Sequence, residues 1–225
     1  MDDRLKELLS CVDHTLLGVA ATENDFRVLC DEAMEYNVAS VCVPPTRVEF
    51  CAKYLDGKIP VCTVVGFPNG YMLGHVKMYE TARAINQGAK EIDMVANIGL
   101  IKEGAYSSVL AEIEMVKKTA DRCLLKVIIE TCLLTDEEKI KMCEVVGESG
   151  ADYIKTSTGF AGGGATFDDV KLLREHSPAH VKVKAAGGIS SLEDAYMFIE
   201  LGTDRLGTSR IVKLVQGMAA SNSAY

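Results

Sequence analysis

The chain has 225 residues, 48 % hydrophobic and 6 % aromatic, which suits a soluble globule of one large or two small domains. A formal charge of −8 argues against a nucleic-acid surface, although a local pocket of N–H groups and lysines still admits an anionic small molecule. No apolar run approaches the ~20 residues that span a bilayer, and the charged start MDDRLKELLS lacks the apolar core of a signal peptide, so a cytoplasmic protein with no membrane partner is expected.

Strand and helix signals alternate along the chain. Strands are expected at Cys11–Thr15, Ser40–Val43, Val61–Gly66, Glu91–Ala96, Leu124–Glu130, Asp152–Thr156, Val181–Ala185 and Arg205–Gly207. Several are nearly continuous apolar runs, the pattern of parallel strands covered on the outside. Between them, Phe26, Leu29, Ala33 and Tyr36 fall on one helical stripe, as do Leu110, Ile113, Val116 and Ala120. Thr22…Asp25, Thr135…Glu138, Thr166…Asp169 and Ser190…Glu193 have the spacing of helix starts. The Met-rich segment Tyr71–Tyr79 is expected to pack rather than to bind a cofactor. The eight cysteines form no C-x-x-C pair, and no histidines stand at ligand spacing, so neither a disulfide framework nor a zinc site is expected; most should act as small buried hydrophobes.

With no linker or charge block, one domain over residues 1–225 is expected, with a flexible tail near 219–225. A weak repeat supports it: in Gly88–Asp93, Gly150–Lys155 and Gly202–Gly207 a helix ends at glycine and a strand begins. Asp93, Lys155 and Gly207 would then share one layer of a common sheet. Eight strands with intervening helices predict a TIM (β/α)8 barrel, with an open doubly wound sheet as the alternative.

In a barrel, functional groups gather at the carboxyl ends of the strands. Lys155 ends its strand, Lys184 lies near the end of another, and Asp93 sits inside EIDMV. Desolvation and a neighbouring like charge turn a lysine into a nucleophilic amine, which points to a carbonyl substrate captured as a Schiff base. The competing structural account is a buried Lys155–Asp93 ion pair, with Lys184 snorkelling outward. Gly187-Gly188 and Gly207-Thr208-Ser209 follow the last two strands and open helices, the usual place of a phosphate in this fold.

VDHTLL (Val12–Leu17), VVGFPNG (Val64–Gly70), EIDMV (Glu91–Val95), LKVIIET (Leu125–Thr131), DYIKTSTG (Asp152–Gly159), VKAAGGI (Val183–Ile189) and LGTSR (Leu206–Arg210) occur in order over nearly the whole chain. In these segments the sequence resembles the deoxyribose-phosphate aldolases, class I aldolases on a TIM barrel. The resemblance implies reversible cleavage of 2-deoxy-D-ribose 5-phosphate to acetaldehyde and D-glyceraldehyde 3-phosphate through a lysine imine, without metal or other cofactor. It assigns Lys155 as the imine-forming lysine, Lys184 as the second lysine of the proton relay, and Asp93 as the general acid/base acting through water. Gly159, Gly187, Gly188, Gly207 and Ser209 would border the phosphate, Asp13 and Thr15 the substrate hydroxyls, and Cys42 would lie near the aldehyde pocket. A homodimer or larger homo-oligomer is compatible with this family.

Two positions stand apart. Some relatives carry a lysine just after KTSTG, where this chain has Phe160, which shifts the expected phosphate contacts toward backbone N–H groups and Arg210. The last residue, Tyr225, resembles a terminal tyrosine delivered for proton transfer, and equally suits an ordinary chain end. Lys126 and Glu130 alternate on one face of LLKVIIE as candidates for an interior polar network, whereas His14 should face away from Asp13 in a packing or surface role. The rival functions are a Schiff-base aldolase for another phosphorylated sugar and a non-catalytic sugar-phosphate-binding barrel.

Overall fold

A computed structural model describes residues 1–222, with side chains through residue 218. In chain order it contains α1 (Asp3–Ser10), β1 (Val12–Thr15), α2 (Glu23–Tyr36), β2 (Ser40–Val43), α3 (Val48–Leu55), β3 (Val61–Val65), α4 (Gly74–Asn86) and β4 (Glu91–Val95). There follow α5 (Ile98–Lys102), α6 (Tyr106–Ala120), β5 (Leu124–Ile128), α7 (Asp136–Glu148), β6 (Tyr153–Lys155), α8 (Phe167–His176), β7 (Lys182–Ala186), α9 (Leu192–Glu200), β8 (Arg205–Thr208) and α10 (Ile211–Asn222). All eight strands pair in parallel with their sequence neighbours, and β8 closes on β1. The closed barrel replaces the open-sheet alternative.

The apolar strand runs are explained by burial on both sides: β2, β3 and β4 are buried at every position. Helix stripes cover the outside. Phe26, Leu29 and Ala33 of α2 are buried, as are Ile113, Val116 and Ala120 of α6, while Tyr36 and Leu110 pack at the margin. Thr22 closes a full capping box with Asp25 at the start of α2, and Thr135 does the same with Glu138 at the start of α7. Thr166 caps α8 through the Asp169 N–H. The last expected cap is displaced by one residue, because Ser191, not Ser190, is the extended residue whose side chain accepts from the Asp194 N–H.

Two expectations change. In Tyr71–Tyr79 the two methionines are half-buried, but Tyr71, Leu73, Val76 and Tyr79 are exposed. Helix α4 turns Lys77, Thr81 and Ala84 inward, which leaves Val76 and Tyr79 on the outer face. Asp93, Lys155 and Gly207 do not share a register row either. Asp93 pairs with Lys126, which pairs with Tyr153, whereas Lys155 pairs with Lys184 and Gly207 with Ala186. Lys155 is thus two residues further along β6 than the row of Asp93. The tilt of barrel strands, about 36°, offsets such a difference and brings inward side chains of different rows together. Helix α10 runs through Asn222, so the segment expected as a tail begins as helix; Tyr225 lies outside the described residues.

Candidate active site

A chain of charges fills the lumen. The Nζ atoms of Lys155 and Lys184 each lie 2.7 Å from the same oxygen of Asp93, Oδ2. Lys126 Nζ approaches the other oxygen, Oδ1, at 2.9 Å and also donates to Glu91. Lys184 donates a second hydrogen bond to Asp13, which in turn accepts from Arg205 and from Ser40 Oγ. Arg205 also reaches both oxygens of Glu91 at 3.2 Å. Lys126, Lys184, Asp13 and Asp93 are all 0 % exposed, whereas Lys155 keeps 4 % and borders the open pocket. Lys184 therefore does not snorkel outward, and the lumen holds a network where the structural alternative had a simple pair.

Burial alone would raise the carboxyl pKa of Asp93, but the ammonium groups of Lys126, Lys155 and Lys184 outweigh it and hold the group well below the usual carboxylate range. Asp13 is held down in the same way by Lys184, Lys126 and Arg205 against its own desolvation. For Lys184 the signs reverse. Burial disfavours its charge, yet Asp13 and Asp93 prevail and raise its pKa, so it is a firmly held cation rather than a lysine softened by its surroundings. Because the two aspartates have depressed folded values, their stabilisation is complete above the unfolded-chain value of about 3.9 and is lost as pH falls below it toward the folded values. A thermal-melting series should accordingly show a declining Tm below about pH 4; a Tm unchanged from pH 5 to pH 2 would contradict the ion network.

Above the lumen a pocket of about 380 Å³ opens at the carboxyl ends of β6, β7, β8 and β1. Lys155 lies at its inner end, and Thr15, Gly159, Gly187, Gly188, Gly207 and Ser209 all border it. Gly187 has φ +79°, and a Cβ there would stand 3.1 Å from Gly164 Cα and 3.3 Å from Gly159 Cα, so the two loops meet backbone to backbone. Gly207 lies within β8 rather than after it, and a Cβ at this position would meet Lys184 Cε at 3.1 Å. The glycine therefore also makes room for the lysine. Ser209 and Arg210 lead into α10, whose first turn carries no acidic residue, unlike the first turn of α9 with Glu193 and Asp194. The N-terminus of α10 is the better seat for an anion. Phe160 borders the same pocket and meets Phe67 edge to face at 5.2 Å.

Some expected residues sit elsewhere. Asp13 does not border the pocket; it lies beneath it, against Lys184 and Arg205. The Thr15 hydroxyl donates back to the Asp13 carbonyl. Cys42 is buried beside Cys62, in register with Thr15; the Cys62 thiol lies 3.2 Å from Asp93 Oδ1 and is pushed up in pKa by burial, by Cys42 and by Asp93. His14 does face away from Asp13, packing at 2.7 Å against Glu32 of α2. Glu91 and Arg205 were not anticipated in the network. Both open their strands, where a charged residue looks like the exposed end of an apolar run. Lys126 was legible as a charge inside such a run, but Glu130 lies beyond the end of β5 and faces a different neighbour, Thr158.

Residues 8–220 match the model of the DeoC/LacD family aldolases. The chain is 52 % identical over 212 residues to the deoxyribose-phosphate aldolase of Clostridioides difficile, covering 94 % of this chain and 97 % of that one. It is 50 % identical over 221 residues to that of Streptococcus pyogenes, covering 98 % and 99 %. Among solved structures, the deoxyribose phosphate aldolase of Aeropyrum pernix, described as tetrameric, superposes with a TM-score of 0.87 at 32 % identity, covering 95 % of this chain and 92 % of that one.

Proposed function

The chain belongs to the DeoC/LacD family of aldolases, and from that premise we propose that it reversibly cleaves 2-deoxy-D-ribose 5-phosphate to acetaldehyde and D-glyceraldehyde 3-phosphate through an imine on Lys155. The observation that carries the assignment is the convergence of Lys155 and Lys184 on one oxygen of Asp93, with Lys155 the one bordering an anion-ready pocket.

The charges indicate which lysine reacts. Asp13, Glu91 and Asp93 face Lys126, Lys155, Lys184 and Arg205, an excess of one formal positive charge if every group is ionised. Lys184 is held by two aspartates and Lys126 by Glu91, Asp93 and, at 3.7 Å, Asp13, while among the described residues Lys155 has Asp93 alone. Lys155, which borders the pocket, is the amine placed to attack. Its nitrogen adds to the substrate aldehyde, water leaves, and the resulting iminium withdraws electrons from the adjacent carbon. As the next carbon–carbon bond breaks, its electron pair moves into the enamine and the hydroxyl proton of the departing fragment leaves to a base. Asp93 and Lys184 can supply and accept these protons through water. Protonation of the enamine carbon and hydrolysis release acetaldehyde and restore Lys155.

The donor groups also support chemistry without a metal. Cys42, Cys62 and Asp93 form one candidate cation cluster and Asp13, Cys62 and Glu91 another, with ligand atoms within 4.8 Å. Their carboxylates already bind lysine or arginine cations, which a metal ion would have to displace. Self-association belongs to the same proposal, with exposed Tyr71, Leu73, Val76 and Tyr79 as an apolar surface for it. So does a cytoplasmic location, in keeping with eight unpaired cysteines. The one-domain organisation is supported by a hydrophobic core continuous from α1 to α10. A proton-transfer role for Tyr225 would be carried by a residue outside the described part of the chain.

A panel of phosphorylated sugars, with and without the 5-phosphate, tests the substrate. 2-Deoxyribose 5-phosphate should show the highest kcat/KM, exceeding 2-deoxyribose by roughly 10- to 100-fold, the worth of one or two charge-assisted hydrogen bonds. A different phosphorylated sugar cleaved faster would replace the assigned substrate.

A further inference from the structure

Glu130 stands just past the end of β5, outside the lysine network, and its backbone is unusual. Four described non-glycine residues adopt positive φ: Asn37, Asp56, Asp121 and Glu130. The first three are the short Asn and Asp side chains that tolerate the left-handed region and end helices. Glu130, at φ 54° and ψ 66°, is not short, and it precedes the single 3₁₀ turn Thr131–Leu133 instead of ending a helix; it is 2 % exposed. A conformation of this kind persists where the surroundings fix it, often beside a working site.

Its carboxylate is directed at one residue. Both oxygens lie 3.2 Å from the Thr158 N–H, and Oε2 accepts the Thr158 hydroxyl at 2.5 Å. The Cys132 thiol, at 4.0 Å from Oε1, adds only a distant contact. Among the described residues no cation pairs with it. The Thr158 hydroxyl, its proton committed to Glu130, accepts the Phe160 N–H at 3.0 Å. One carboxylate thereby fixes the turn from Thr158 to Phe160, three of the residues that border the pocket beyond Lys155. Between them lies Gly159, which packs on Gly187 of the opposite wall. The Thr131 N–H donates to the Thr156 carbonyl and ties the same two loops together.

We propose that Glu130 is a positioning residue that holds the Thr158–Phe160 wall of the substrate pocket in its binding shape through the Thr158 hydroxyl. The proposal rests on the aldolase assignment above. It distinguishes two parts of one site: imine formation at Lys155 with a two-carbon aldehyde does not need this wall, whereas capture of the long phosphorylated substrate does.

Glu130→Gly separates this role from a purely structural one, because glycine relieves the backbone while removing the carboxylate. The expected result is an unchanged Tm, undiminished borohydride trapping of acetaldehyde, and a KM for 2-deoxyribose 5-phosphate raised about tenfold with kcat within about threefold, the size of one lost charge-assisted hydrogen bond. Thr158→Val should reproduce the KM effect, the double variant should be no worse than either single one, and Thr158→Ser should recover most of the loss. A wild-type KM in Glu130→Gly, additive losses in the double variant, or trapping that falls in step with the KM change would overturn the proposal. If Glu130→Gly does not fold, the Thr158 pair decides: a wild-type KM in Thr158→Val refutes the coupling. Wild-type protein that traps no acetaldehyde would instead overturn the aldolase assignment itself, a result visible without any variant.

Discussion

Borohydride reduction of the wild-type protein in the presence of acetaldehyde should attach one ethyl group to Lys155, and Lys155→Met should remain unlabelled at this position. Turnover of 2-deoxyribose 5-phosphate in the variant should fall by about 10⁴-fold or more, because among the described residues no other amine borders the pocket to form the covalent intermediate. The fold should tolerate the change. Methionine fills nearly the same volume, and Asp93 keeps its contacts to Lys126 and Lys184. The formal excess of one positive charge in the lumen disappears as well. Intact-mass and peptide measurements on both proteins, with melting curves beside them, decide the matter. An adduct of equal yield in Lys155→Met would sink the mechanism.

The second large effect belongs to Lys184, and here activity and stability should fall together. Lys184→Leu leaves Asp13 and Asp93, both 0 % exposed, without the cation that donates to each of them. Removing one partner of a buried ion pair costs about 3–5 kcal/mol. Arg205 and Lys126 remain close enough to soften that cost. From the sequence alone the same substitution looks harmless to the fold, since a lysine near a strand end could reach solvent. Catalytically, the loss of a positioned proton-transfer group should lower kcat by about 10²- to 10⁴-fold. Trapping of acetaldehyde on Lys155 should persist at a reduced rate. A variant with wild-type turnover would remove Lys184 from the proton relay. One with wild-type Tm would mean that the aspartates are not held as the structure indicates.

Much of the architecture could be read directly from residue order. Apolar runs of strand length separated by amphipathic helices with Thr caps already imply parallel strands covered by helices, because such strands must be apolar on both faces. The strand-end position of Lys155 and the glycines at 187 and 188 marked the rim where a barrel gathers its chemistry. The boundaries moved by one or two residues, and Ser191 took the cap expected of Ser190, since neighbouring serines offer the same side chain and only the backbone angles choose between them.

The lysine at the end of DYIK needed a reason to be there, and its sequence neighbours could supply only a carbonyl chemistry in outline. Which charges meet was decided by closure and tilt of the sheet. Those two features bring Asp93 to Lys155, 62 residues apart in sequence, and Asp13 to Arg205, 192 apart, while leaving Asp13 below the pocket instead of in it. They also enlist Glu91 and Arg205, whose place at strand starts disguised them as surface charges. Local sequence thus determined what each element is and that a lysine stands at a rim. Only the closed barrel determined its partners, because the ion pairs that hold each amine depend on distances between strands that no local pattern encodes.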